Sequence, residues 1–342
     1  AQATPLVEKF QRPARWGECW KPTQKRLPPL IVEHDSYSVT DPADGQRPQR
    51  VSVNEGISSC LLGLHVATFL RGGNVKRFWL FVLFTILFSW GLWLPVVAAQ
   101  LHTTDTVAGA ILFFAGGFGP SVVGTIFLLH SSEWGGVREL LSRTFAFSRI
   151  PAVTLLLSLL VYPVFFLMSA LLTLATGGSW PEFSGFAGML ESVPALAGGV
   201  ILVFLLGPFS EEIGWRGFAL PLLQRRWGPL GASVVLGIVW WGWHIPLFFM
   251  DGTLHATQGL FSAFSVGYLI TVLSYSVFFT WLYNQTRASI WVAIIAHFSI
   301  NLTISGSSPF DGAVFAILSI VLLAAAVALV LLGRLTARRT AS

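Results

Sequence analysis

The feature that most constrains this chain is a series of apolar stretches. It begins just after Arg77 and continues to the C-terminal tail. A membrane span takes about 20 apolar residues. Stretches of that order lie at 78–100, 106–130, 151–175, 197–223, 229–250, 259–283, 288–306 and 312–333. The expected fold is all-α, a polytopic transmembrane helical bundle of about eight spans. Composition agrees, with 54% hydrophobic and 11% charged residues and a mean hydropathy of +0.69. A soluble domain usually has about 25% charged residues.

The net charge of +5 does not point to nucleic acid, because the basic residues are spaced as topology signals. With both ends cytoplasmic, Lys76 and Arg77 precede the first span. Arg138, Arg143 and Arg149 fall in the second loop, Arg225 and Arg226 in the fourth, and Arg287 in the sixth. Arg334, Arg338 and Arg339 fall in the tail. The alternate loops, near 101–105, 176–196, 251–258 and 307–311, contain no Lys or Arg. This is the positive-inside pattern, and it implies an integral multi-pass protein with cytoplasmic N- and C-termini.

Residues 1–74 differ from the rest: rich in Pro, Arg, Lys and Asp, with no sustained hydrophobic period, they read as a disordered polar segment. Three origins fit: a cytoplasmic tail, a mature end left by signal cleavage, or a segment upstream of a true start near Val75. The last is preferred, because Val75-Lys-Arg-Phe-Trp-Leu-Phe reads as the opening of a membrane protein. The membrane-embedded domain is then 75–342. Cys19 and Cys60 both lie in the polar segment, so no thiolate is expected inside the membrane.

Smaller features carry local expectations. Val137, Leu140, Leu141 and Phe145 recur at helical spacing and suit a short surface helix over 133–149. Gly116-Gly117-Phe-Gly119-Pro120 breaks the second span, as a kink or a close helix contact. Trp79, Trp90, Trp93 and Trp291, at span ends, read as interface anchors. His65, His102, His130 and His255 lie in polar segments or at span ends and receive no role.

Against this background two adjacent carboxylates, Glu211 and Glu212, stand inside an apolar span. A bilayer penalises each ionised group by about 2.5–3.5 kcal/mol on insertion scales, so such groups mark chemistry or transport. Three polar clusters fall in three spans. In Glu211-Glu212-x-x-x-Arg216, Glu212 and Arg216 share a helix face, and Glu211 is turned away with no partner of its own. In Trp240-x-x-x-His244 the indole lies one turn from the imidazole, and in His297-x-x-x-Asn301 an imidazole and an amide share a face. Measured along straight helices from the basic loops, Glu211, His244, His297 and Asn301 all sit about 15–24 Å deep.

A carboxylate and an imidazole in a low-dielectric pocket can hold and deprotonate water. A second imidazole and an amide can donate to a developing oxyanion. Together they suit hydrolysis of an amide bond. Ser210 and Ser299 are neighbours of the clusters, but neither is placed beside a base within them, so a serine mechanism is the less favoured alternative.

At these residues the sequence resembles the CAAX-processing and bacteriocin-processing (CPBP, or Abi) family of intramembrane proteases. The resemblance spans about 75–310 and rests on three motifs in order: Glu211-Glu212-Ile-Gly-Trp-Arg216-Gly217, Trp240-Trp-Gly-Trp-His244 and His297-Phe-Ser-Ile-Asn301. Trp240 stands where the family more often has Phe. The resemblance implies that Glu211 and His244 activate water, that His297 and Asn301 bind the oxyanion, and that Glu212, Arg216 and Trp240 support them. It leaves the cofactor unknown. Zinc is compatible with two imidazoles and a carboxylate, but a metal-free glutamate mechanism is preferred, because His297 pairs with Asn301 and no other carboxylate is evident to orient a metal-bound imidazole. Prenylated CAAX proteins are the eukaryotic substrates of relatives. A compact chain of this kind suggests a prokaryotic plasma membrane, with peptides or membrane-protein ends as substrates and the lipid bilayer as the other partner. Two rival classes are a proton-coupled transporter with Glu211 and His297 as a relay, and a non-catalytic immunity or scaffold protein. The lack of an inverted repeat opposes the first, and the intact polar set opposes the second.

Overall fold

The structure is a computed structural model that describes residues 73–103, 105–131, 142, 150–307 and 310–335. All but the last two residues of the polar segment 1–74 lie outside the described residues. So does the surface helix expected over 133–149, apart from Ser142.

The described residues form helices and no strand. In order they are α1 (Asn74–Ala98), α2 (Val107–Gly117), α3 (Gly119–Ser131), α4 (Ala152–Ala175), α5 (Ser184–Leu190), α6 (Val193–Phe204), α7 (Ser210–Gly214), α8 (Leu220–Trp243), α9 (Leu254–Gln258), α10 (Ala263–Gln285), α11 (Trp291–Gly306) and α12 (Gly312–Leu331). Wider π turns, Leu205–Phe209 and Trp215–Ala219, flank α7, and a 3-10 turn, Ile245–Phe249, follows α8. The chain is an integral, multi-pass, all-α membrane protein.

By length and apolarity five helical stretches can cross a membrane, or six with α2 and α3 taken as one bent span. That measure does not reproduce the expected eight. It takes Val193–Phe249 as one stretch of 57 residues. The backbone nevertheless leaves the helix at Gly228, with φ 66° and ψ 179°. Helix α11, with 16 residues, falls short of a full span and is not among the five.

Local sequence explains the helix starts. Thr106, Ser192, Thr253, Ser262 and Asp311 each accept a hydrogen bond from a first-turn N–H of the helix that follows. The glycine-rich break between α2 and α3 is both a kink and a contact. The two helices are bent by 42°. An added Cβ at Gly116 would strike the Trp93 indole, and one at Gly119 would strike Ser89 Oγ. Gly214 likewise lets α7 sit directly against Pro120 of α3.

Helices α8, α10 and α12 pack in series, and α4 closes the group against α11 and α12. Lipid tails are as apolar as leucine, so helix association relies on close packing and on hydrogen bonds between helices. Ser233 donates to Thr280 at 2.9 Å between α8 and α10, and Thr271 and Ser319 meet at 3.0 Å between α10 and α12. Leucines of α4 such as Leu155, Leu156, Leu167 and Leu171 face outward. Trp93 corrects the reading of the span-end tryptophans as anchors. It is 1% exposed, donates to Phe113 O at 2.9 Å and packs on Trp243.

Candidate active site

The site is organised by a break in the backbone between α6 and α7. Leu206 is extended (φ −97°, ψ 103°), and Gly207 takes φ 101°, ψ −79°, a conformation essentially closed to residues with a Cβ. Pro208 follows and has no N–H to continue the helical ladder. The freed groups find other partners. Gly207 N–H donates to Ser210 Oγ at 3.0 Å, and Asn301 Nδ2 donates to Leu206 O at 3.4 Å. Non-helical backbone within a membrane protein is tolerated where it is re-satisfied in this way and lines a cavity.

The break places Glu211 in the first turn of α7. Its Oε2 accepts from Trp240 Nε1 at 2.6 Å and from Trp215 Nε1 at 3.3 Å, which leaves Oε1 for the cavity. Glu211 therefore does have a partner on its own helical segment, one turn on, contrary to the expectation from sequence. Around Gly207 three groups converge. A Cβ built there would lie 2.6 Å from Asn301 Nδ2, 3.3 Å from His297 Nε2 and 3.5 Å from Glu211 Oε1.

Glu212 points the other way. It pairs with Arg216 one turn on, at 2.9 Å, and accepts from His297 Nδ1 at 2.9 Å. Both members of the ion pair are fully buried, and the guanidinium lies 4.7 Å from the ring centres of Trp240 and of Phe279. A buried ion pair contributes little net stability, since desolvation opposes attraction. Its evident effect here is geometric: it fixes His297 with Nε2 toward Gly207.

His244 caps the end of α8, where the chain tightens into the 3-10 turn led by Pro246. Its Nδ1 donates to Trp240 O at 2.7 Å, so Nε2 is the free nitrogen. Trp240 thus serves both halves of the site, its indole on Glu211 and its carbonyl on His244. Ser210 and Ser299 are tied to backbone, at Gly207 and Leu159 respectively.

Glu211, His244, His297 and Asn301 all line one cavity of about 570 Å³, with walls that include Phe113, Phe166, Phe264 and Leu318. That volume falls within the usual range for sites that enclose small ligands.

Sequence reasoning missed three residues here. Gly207 had a signal, the Gly-Pro pair inside an apolar stretch. Trp215 had one in its spacing from Glu211. His255 had none, because its place is set by tertiary packing. It stacks on His244 with ring centres 5.8 Å apart and planes 13° apart, and it packs on Tyr268. Burial pushes its imidazole down to about 4.

Among the described residues no three His, Cys, Asp or Glu side chains are grouped to hold a metal ion. The two imidazoles and the carboxylate that are compatible with zinc on paper do not form such a group. A carboxylate does orient one of the imidazoles, however, because Glu212 accepts from His297 Nδ1.

A family model described as type II CAAX prenyl endopeptidase Rce1-like matches residues 193–303, which contain all three clusters. CAAX prenyl protease 2 of Methanococcus maripaludis is similar to this chain, 30% identical over 231 residues, which cover 65% of this chain and 82% of that protein. With the helical architecture, these likenesses define the class: a protease embedded in the membrane. The chain belongs to the CPBP family of intramembrane proteases, the CAAX prenyl endopeptidases among them.

Proposed function

We propose that this chain is an endopeptidase that hydrolyses peptide bonds of membrane-associated proteins or peptides, using a water activated by Glu211 and His244. The observation that carries this is the convergence of Glu211 Oε1, His297 Nε2 and Asn301 Nδ2 around Gly207, in a cavity that His244 also lines.

In this reading Glu211 Oε1 and His244 Nε2 accept hydrogen bonds from one water. The water oxygen attacks the scissile carbonyl carbon as its proton passes to Glu211. The developing oxyanion is bound by Asn301 Nδ2 and by His297 Nε2–H. For His297 to donate from Nε2 while Glu212 holds Nδ1–H, the ring carries both protons, so that His297 and Arg216 are set against two carboxylates, Glu211 and Glu212. Collapse of the tetrahedral intermediate breaks the C–N bond, and Glu211 returns its proton to the leaving amine. No step of this sequence requires a metal.

The setting proposed for this chemistry is a prokaryotic plasma membrane crossed eight times, with both termini cytoplasmic. The names of the matching family and of the Methanococcus maripaludis relative make a prenylated CAAX peptide, here a farnesylated one, the first probe to try. Purified protein in detergent should cleave such a peptide carrying a quenched fluorophore. Glu211→Gln should abolish cleavage while the protein stays folded. Turnover retained in that variant would refute the assignment of the base.

A further inference from the structure

The two ends of the bundle differ sharply in charge. At one end, Asn284 donates to Gln224 Oε1 at 3.0 Å and to Leu335 O at 3.1 Å, and Gln285 donates to Arg334 O at 3.5 Å. Arg225 lies within electrostatic reach of Arg77. The starts and ends of α1, α8, α10 and α12 that carry Lys76, Arg77, Arg225, Arg226 and Arg334 are thus gathered together, with Arg287 just beyond Gln285.

The opposite end is built from the other loops. Thr103 N–H donates to Asp251 O at 3.0 Å, Gly185 sits against Ser305 O, and Phe310 packs on Phe264 with ring centres 5.3 Å apart. These loops hold Asp105, Glu182, Glu191, Asp251 and Asp311 and contain no Lys or Arg.

The catalytic cavity runs from Glu211 and His297 inside the bundle to this second end. Thr103, Thr253, Leu254 and Asp311 line it, and it meets the surface at exposed Gly252 and Ser305. No residue of the basic end lines it. Between them Arg216 and Leu220 are fully buried and Leu223 is 1% exposed, so the floor of the site is closed toward the basic side.

Basic residues near the ends of spans stay on the cytoplasmic side. We infer that the catalytic cavity opens at the extracytoplasmic face, and that its substrates are polypeptide segments presented from outside the membrane. This rests on the protease reading for the word substrate, but the geometry of access is independent of it. A chain whose site faced the cytoplasm would need its basic clusters around the cavity mouth, and here those among the described residues, Lys76 with Arg77, Arg225 with Arg226, Arg287 and Arg334, are at the far end.

The test is labelling of the full-length protein in intact cells, with Cys19 and Cys60 replaced by Ser and one cysteine introduced at an exposed position. Thr257→Cys reports the cavity end and Arg226→Cys the basic end. With a membrane-impermeant maleimide, Thr257→Cys should label in intact cells, and Arg226→Cys should not label until the cells are permeabilised. Both should label after denaturation. The reverse pattern would overturn the inference. Cleavage of the farnesylated peptide by each variant in detergent is scored separately. Loss of cleavage in every preparation counts against the protease reading, whereas labelling from the wrong side counts against the placement of the cavity alone.

Discussion

His297 Nδ1 lies 2.9 Å from Glu212 Oε1, and that contact makes the second glutamate of the pair a part of the site. Glu212 is fully buried, and its Oε1 accepts from both Arg216 and His297. The carboxylate beside the proposed base therefore aims a different residue, on a different helix, at the same point.

Glu212→Gln should accordingly fail in two ways. An amide cannot balance Arg216, and leaving one member of a buried pair alone costs about 3–5 kcal/mol. It also offers His297 a weaker acceptor that can orient with its NH2 group toward the ring. The unfolding midpoint in detergent should drop, and kcat should fall by roughly 10²-fold or more in the protein that remains folded. A variant that is less stable but fully active per folded molecule would show that Glu212 only ties helices together.

Gly207→Ala tests the backbone break. Its φ of 101° is strained for alanine, at about 1–3 kcal/mol, and the new methyl would lie 2.6 Å from Asn301 Nδ2. The variant should lose most peptide cleavage with a modest fall in unfolding midpoint. Unchanged turnover would mean that the space beside Gly207 is not where the reacting carbonyl sits.

His255 supplies a dependence on pH. Its imidazole falls from the ordinary 6.5 to about 4 because burial disfavours the charged form. Between those values the unfolded chain binds a proton that the folded chain does not. Stability should therefore decrease as pH is lowered from 6.5 to 4, and His255 should contribute no slope above that window. Unfolding midpoints across the range should decline less steeply for His255→Phe, which keeps an aromatic ring against His244. Equal slopes for the two proteins would exclude His255 as a source of acid sensitivity.

The metal-free mechanism predicts that chelation leaves cleavage intact. Protein purified in active form and dialysed against a strong chelator should retain its rate, and elemental analysis should find less than one zinc per chain. Zinc at one per chain, lost in step with activity and restoring it on return, would overturn the mechanism written above.

The sequence by itself determined that this chain is a helical membrane protein and which polar residues stand out in it. Span-length apolarity and the rarity of buried charge are local properties, so Glu211, Glu212, His244, His297 and Asn301 were legible from their neighbours alone. Helical spacing also foretold the pairing of Glu212 with Arg216, because an i,i+4 contact needs no third element. Tertiary structure decided the rest. The break at Gly207 brings Asn301 of α11 to a carbonyl of the unwound chain, and no period in the sequence encodes that meeting. Trp240 reaches Glu211 across 29 positions, and Glu212 reaches His297 across 85. The stacking of His255 on His244 depends on how a short loop helix folds back over α10. Hydrogen bonds and ring contacts act over a few ångströms whatever the separation along the chain. Which buried groups become partners is therefore settled only when the helices have packed.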